Sequence, residues 1–279
     1  MSFPQLDDRD WSLLTLGDRI RQIEVEGYLV LPDVISQEQV ARLKAETARL
    51  ETQAVDYSVH QQYRQNIQFV GGALTELAAH PPTIAFLKEL LGEEILIMSY
   101  YYGRSEPGHP GISLHTDGKP YGSNIDGYEG SVPIMVRVLY YLDDLTADVS
   151  PFRVVPGSHL CLHADANPYN KYEAHPEEVV ISVKAGSSVL INAHVFHGNC
   201  PNTGDRPREM LAIAYRPAWG GPIQEVPPWD PADLARFPGR VRALYADRNT
   251  QHWTFEIENK SPDMVREAPG MNPSRWSRT

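Results

Sequence analysis

Gly111-Ile-Ser-Leu-His-Thr-Asp-Gly118 is the stretch from which the fold and the chemistry are both read. If the segment is extended, successive side chains alternate faces, so His115 and Asp117 point the same way. An imidazole and a carboxylate on one side can take two adjacent positions on a small cation. One more histidine would complete the two-histidine, one-carboxylate set that usually holds non-haem iron(II) with open positions. A His-x-Asp spacing is also common on plain surface loops. The chain must therefore supply a fold that returns the missing ligand to this place.

Outward from this stretch, the texture is strand-like on both sides. Runs at 95–102, 132–142, 152–155, 179–183, 188–192 and 210–216 are β-branched or aromatic, with Gly, Pro, Asp and Asn between them. No long helical pattern separates them, which disfavours a parallel βαβ sheet. Before Gly92 the pattern is mostly helical. A short helix is predicted near 15–26, stopped by Gly27, followed by a buried strand at 28–31 that Pro32 ends. Ser36-Gln-Glu-Gln39 resembles a capping box opening a helix to about residue 53, with Val40, Leu43 and Leu50 on one stripe and Thr47 its polar member. A helical pair is predicted over 73–92, split at Pro81-Pro82. The tail, rich in Pro, Asp and Arg, is expected to wrap the surface with short helices at 231–236 and 241–247.

The expected architecture is mainly β with flanking helices: a jelly-roll, the double-stranded β-helix type of core. It comprises a helical part over about 1–93, the jelly-roll over about 94–220 and a surface extension over about 221–279, with no linker that would divide a single domain.

Composition narrows the function classes. The 279 residues are 42% hydrophobic and 22% charged, enough for a sizeable core. A formal net charge of −11 argues against nucleic-acid or anionic-membrane partners and leaves room for a local basic pocket. Two cysteines, Cys161 and Cys200, without a C-x-x-C, suggest neither a disulfide framework nor a thiolate zinc site. The acidic first residues lack the apolar stretch of a signal peptide, and no run approaches membrane-spanning length. A cytoplasmic protein acting on a small molecule is expected, as monomer or homodimer.

Two of the ten histidines can complete the site: His194 and His197, in Ile-Asn-Ala-His-Val-Phe-His-Gly-Asn-Cys-Pro-Asn, just past a strand that ends near Asn192. A late strand end is where a barrel would return a third ligand. Eleven residues after His197, Arg208 stands at the start of another strand. Pointed inward, its rigid fork matches a carboxylate bidentately. Arg206 is read as a surface residue.

Taken together, His115-x-Asp117, the distal His197-Gly, Pro201-Asn202 and Arg208 resemble the iron(II)/2-oxoglutarate-dependent dioxygenases of the phytanoyl-CoA dioxygenase type. The opening Gly27-Tyr-Leu-Val-Leu-Pro-Asp-Val-Ile-Ser-Gln-Glu-Gln-Val, the turn Leu142-Asp-Asp-Leu-Thr and the loop Pro156-Gly-Ser-His159 are similar to that family's signatures, in the same order. The resemblance implies His115, Asp117 and His197 as iron(II) ligands, His197 being preferred to His194 for its following glycine. It implies Arg208 as partner of the distal carboxylate of 2-oxoglutarate, O2 as the other cosubstrate, and a structural role for His159. Asn199 sits where relatives place a small polar group near the cosubstrate. Tyr102, beside the cosubstrate, and Tyr100, toward the substrate, are expected to line the same pocket.

The chain departs from the family at Leu139, where many relatives show an aromatic residue. If Leu139 faces inward, alternation turns Arg137 inward too. A buried arginine needs an anion, which could be the 2-oxoglutarate C1 carboxylate, a substrate carboxylate or a protein acid. The loop 118–130 suits a lid, with Lys119, Tyr121 and Tyr128 as candidate substrate contacts. Related halogenases carry a small residue in place of the carboxylate, so Asp117 points to hydroxylation or another oxidation. A secondary metabolite or amino-acid derivative is the expected substrate. The rival readings are a cupin-like metalloenzyme that needs no 2-oxoglutarate and a non-catalytic binding protein. The first leaves Arg208 without a task, and the second would be expected to have lost ligands.

Overall fold

A computed structural model describes residues 5–117, 133–160, 175–223, 226 and 228–246. Its scaffold is two facing sheets. The larger contains β2 (Tyr28–Leu31), β10 (Ser188–Asn192), β7 (Val136–Tyr141), β12 (Arg208–Pro217), β5 (Ile95–Ser105), β4 (Ser58–Gln65) and β3 (Gln53–Val55), in that order. The smaller contains β1 (Gln5–Asp7), β9 (Val179–Ile181), β8 (Phe152–Val154), β11 (His197–Asn199) and β6 (Ile112–His115). This is the jelly-roll that the strand-rich texture predicts.

The central strands of the larger sheet are buried on both faces. Every residue of β7 and β10 is buried, which is why their sequences, VRVLYY and SVLIN, lack the polar alternation of a half-exposed strand. One face meets the smaller sheet. The other meets helices α2 (Gln37–Thr47), α3 (Gly72–Leu77) and α4 (Pro81–Leu91). Polar tips on the helix-covered face are matched: Tyr140 Oη donates to Thr83 Oγ1 at 2.7 Å, and Tyr215 Oη to the Ala78 carbonyl at 2.9 Å.

Local chemistry sets the helix boundaries. At α2 the Ser36 hydroxyl accepts from the Gln39 N–H while the Gln39 side chain accepts from the Ser36 N–H, a full capping box. Thr15 and Asp18 make the same reciprocal pair at α1 (Leu16–Val25). α3 begins at two glycines and takes its cap from another helix: the Glu46 carboxylate accepts the Ala73 and Leu74 N–H groups at 2.8 and 2.9 Å. Pro81 opens α4. In the tail, α5 (Pro231–Ala235) and α6 (Gly239–Arg242) are single turns.

Two differences from expectation have physical causes. α2 ends at Thr47, not near residue 53, because the chain turns away to form β3. Thr47 itself is held, its hydroxyl 3.1 Å from Glu209 Oε2. β3 and β4 extend the larger sheet from a segment whose β4 sequence, Ser-Val-His-Gln-Gln-Tyr-Arg-Gln, carries no apolar alternation. Their residues are largely exposed or half-buried, and backbone pairing to β5 holds them.

Candidate functional site

His115 and His197 come from neighbouring strands of the smaller sheet and are direct register partners. Their ring centroids are 4.5 Å apart. Close backbone approach makes this possible. A Cβ on Gly198 would lie 2.4 Å from the Ile112 carbonyl oxygen, and one on Gly111 2.7 Å from that of Asn199. The glycine after His197 is therefore a packing requirement, which gives the His-Gly pair its physical reason.

Each imidazole is fixed from behind. His115 Nδ1 is 2.8 Å from the Ser113 carbonyl oxygen and His197 Nδ1 is 3.0 Å from that of Val195, so both Nδ1 atoms donate and both Nε2 atoms are free to accept. Asp117 follows β6 by two residues, and its N–H donates to the Ala193 carbonyl at 2.7 Å. Its carboxylate lies 4.0 Å from His115 Nε2 and 3.9 Å from His197 Nε2. One donor atom from each residue lies within 4.8 Å of the others. Among the described residues this is the one group of three or more His, Cys, Asp and Glu side chains so disposed.

The protonation states suit a divalent cation. Burial raises the Asp117 carboxyl, but Arg137 and the two imidazoles outweigh it and hold its pKa near 2. Burial, with His115 beside it, lowers the His197 pKa to about 4. At neutral pH the set offers a carboxylate and a neutral imidazole with a bare Nε2 alongside His115. These are the donors of a facial triad for iron(II).

Arg208 lies on the same side of the larger sheet, fully buried. Its Nη2 donates to Ser105 Oγ at 2.8 Å, and Ser105 Oγ donates to Gln61 Oε1 at 2.6 Å. Its Nε and Nη1 have no hydrogen-bond partner among the described residues. The guanidinium carbon is 5.9 Å from the Tyr141 ring centroid. Burial lowers its pKa, partly offset by Tyr141, Tyr101 and Tyr57. A buried cation with two orphaned donors fits a carboxylate ligand, and the fork fits 2-oxoglutarate's distal end.

Arg137 faces inward, as the position of Leu139 implied, and meets a protein acid: its Nε donates to Asp117 Oδ2 at 2.6 Å. Its guanidinium carbon lies 5.5 Å from the Tyr101 ring centroid. Asn199 shares the His197 face of β11 and is buried, with Nδ2 donating to the Ser150 carbonyl at 3.3 Å.

Tyr100 and Tyr102 require correction. They occupy the helix-covered face of β5. Tyr102 Oη donates to Glu209 Oε2 at 2.6 Å, and Tyr100 is packed near Tyr140, Tyr245 and Glu46. Tyr101 between them points to the site, facing Arg137 and Arg208. Three consecutive tyrosines give no parity by themselves. The signal lies in the register, since Tyr101 has the parity of Ser105, the partner of Arg208. His194 stands outside the three-residue cluster. His159 Nε2 bonds the Glu24 carbonyl oxygen at 2.8 Å, a structural contact at the turn after β8. Arg206 bonds the Asp144 carbonyl at 2.9 Å. Lys119, Tyr121 and Tyr128, with the loop 118–130 and Cys161, lie outside the described residues.

Comparison with known proteins gives concordant likenesses. The family model described as "Phytanoyl-CoA dioxygenase (PhyH)" matches residues 23–210. L-proline trans-4-hydroxylase of Streptomyces griseoviridis is 21% identical over 264 residues, spanning 80% of this chain and 94% of that protein. HygX from Streptomyces hygroscopicus, with nickel and 2-oxoglutarate bound, superposes with a TM-score of 0.62 at 20% identity, covering 73% of this chain and 87% of HygX. The same enzyme with hygromycin B also bound gives 0.60 at 20% identity, over 73% and 88%. The non-heme alpha ketoglutarate dependent epimerase SnoN from nogalamycin biosynthesis gives 0.61 at 21% identity, over 73% and 81%.

Proposed function

The chain belongs to the phytanoyl-CoA dioxygenase family, and on that premise we propose that it hydroxylates an unactivated C–H bond in a secondary metabolite or amino-acid derivative. It is an iron(II)- and 2-oxoglutarate-dependent dioxygenase that oxidises a small molecule. The observation that carries the proposal is the convergence of His115, Asp117 and His197 beside a buried, incompletely bonded Arg208.

His115 and His197 would hold the metal through Nε2, and Asp117 through its carboxylate. When bound, iron(II) with 2-oxoglutarate and O2 supplies the oxidant that hydroxylates an unactivated carbon, with release of succinate and CO2. The protein's own contribution is placement. The Nδ1 bonds to the Ser113 and Val195 carbonyls keep both imidazoles in the tautomer that presents a lone pair. Arg208 would pair with the distal carboxylate of 2-oxoglutarate, with Ser105 steadying one arm of its fork. Asn199 would offer a polar contact near the cosubstrate. The carboxylate at position 117 supports oxidation in place of halogenation, because it takes a position that a halide would need. Lys119, Tyr121 and Tyr128 are proposed substrate contacts. The relatives support a small substrate: one is an L-proline hydroxylase, another was crystallised with hygromycin B.

The test is anaerobic addition of Fe(II) and 2-oxoglutarate. A weak charge-transfer band near about 500 nm is expected from such a chelate on facial-triad iron. Its absence in the wild type, or its persistence at full strength in His115→Ala, counts against the assignment. Succinate release across a panel of amino acids and natural products then identifies the substrate.

A further inference from the structure

Arg137 is the one cation bonded to a member of the candidate triad among the described residues. It projects from β7, in the sheet opposite to that which carries His115 and His197 and leads into Asp117. Its bond to Asp117 therefore spans the interior between the layers. Both side chains are largely buried, at 9% and 14% exposure. The guanidinium rests on the Tyr101 ring, which limits its freedom to turn away. Asp117 needs such a restraint. It lies beyond the last paired residue of β6, and among the described residues its backbone is held by the bond to the Ala193 carbonyl. A carboxylate on a strand end can rotate about its side-chain bonds, whereas the two imidazoles are each tied through Nδ1.

We propose that Arg137 is a positioning residue for the metal centre. Its Nε–H grips Asp117 Oδ2 and holds the carboxylate turned toward the two Nε2 atoms before a cation arrives. It does for the acid what the Ser113 and Val195 carbonyls do for the histidines. The inference rests on the proposed identity of the three ligands. It assigns Arg137 to Asp117, not to 2-oxoglutarate or substrate.

Charge alone makes the opposite prediction from positioning. A guanidinium next to a divalent cation is repulsive, and it also draws negative charge from the ligand. Removing it would tighten metal binding if electrostatics were the whole effect. Removing it loosens binding if pre-orientation dominates, by about 10- to 100-fold, as for other partners that orient metal ligands.

The test is titration of the apo protein with Co(II) alone, without 2-oxoglutarate, in wild type, Arg137→Gln and Arg137→Lys. Circular dichroism and metal-free thermal melts establish that each variant is folded. The dissociation constant is expected to rise about 10- to 100-fold in Arg137→Gln, with Arg137→Lys intermediate because it keeps a charged donor but not the planar fork. Equal or tighter binding in folded Arg137→Gln overturns the proposal while leaving the triad intact. Should Arg137→Gln fail to fold, Arg137→Lys decides, and wild-type affinity there overturns it equally. Wild-type protein that takes up no Co(II), or His115→Ala that binds it unchanged, instead sinks the triad assignment itself.

Discussion

His115 and His197 face each other across the β6–β11 register with ring centroids 4.5 Å apart, and each is tied through Nδ1 to the carbonyl two residues before it. The same local geometry is thus built twice, on antiparallel strands. Replacing either ring with alanine is expected to weaken metal binding by more than about 100-fold, beyond the usual cost of losing an orienting partner. His194→Ala is expected to stay within about twofold, since only His197 belongs to the cluster. Equilibrium titration with Co(II) distinguishes the two histidines.

Arg208 is fully buried, and two of its guanidinium nitrogens, Nε and Nη1, have no hydrogen-bond partner among the described residues. Arg208→Met is expected to raise the 2-oxoglutarate dissociation constant by about 30-fold or more, from about 2–5 kcal/mol for truncating a buried charged contact. Arg208→Lys should recover part of this through its charge but not the bidentate geometry. Titration of the visible band with 2-oxoglutarate measures both.

The three tyrosines of β5 should separate by face. Tyr101→Ala removes the ring that rests against Arg137 and lies beside Arg208, the proposed cosubstrate partner, and is expected to weaken 2-oxoglutarate binding by about 2- to 30-fold, as the loss of an aromatic neighbour of a cation does. Tyr102→Phe loses the bond to Glu209 and should cost about 1 kcal/mol of stability with an unchanged cosubstrate affinity. Tyr100→Phe should likewise leave that affinity unchanged. A cosubstrate defect in Tyr100→Phe or Tyr102→Phe, with none in Tyr101→Ala, would contradict the assignment of faces.

Glu46 caps α3 with both carboxylate oxygens. Glu46→Ala is expected to lower stability by about 1–2 kcal/mol, as the loss of a charged cap does, without changing metal affinity. Urea denaturation, paired with the Co(II) titration, checks both halves.

Stability should also fall in acid for a reason outside the metal centre. His109 is buried, and burial, with Arg208 and His60 nearby, lowers its pKa from 6.5 to about 4. Between those values the unfolded chain binds a proton that the folded chain refuses, so stability rises with pH across this window and is lost as pH falls through it. His80 and His159, also lowered by burial, act in the same direction. Denaturation at pH 7.5, 6 and 5 should show the decline, and His109→Gln should flatten it.

What could be read from the amino-acid order follows from how local each signal is. His115 closes β6 and Asp117 follows two residues later, and Arg208 opens the strand that runs to Pro217, so spacing sufficed for them. Tyr100 and Tyr102 were misplaced because a run of like residues conceals which parity faces inward. That is set by pairing to β12, a contact more than a hundred residues away. Arg137 was recognisable as an inward cation needing an anion, but the choice among three anions depended on how two sheets face each other. β3 and β4 escaped because their outer positions are polar and their stability comes from backbone pairing, which leaves no hydrophobic period. α2 looked longer than it is because Leu50 continues the apolar stripe beyond the point where the chain departs for β3.

Glu209 has a consequence that reaches past its own contacts. It follows Arg208 on β12 and points to the opposite face, where Tyr102, Thr47 and Lys44 hold its carboxylate, while its N–H is bound by Asp143. A slip of one residue between β12 and its neighbours would exchange the two side chains. The cavity would then present a carboxylate where Arg208 is proposed to receive a dicarboxylic acid, and the guanidinium would be buried against the helices. The clasp around Glu209 makes that misalignment costly during folding. The sign of the proposed cosubstrate cavity is thereby guarded from the far side of the sheet, by residues on its helix-covered face.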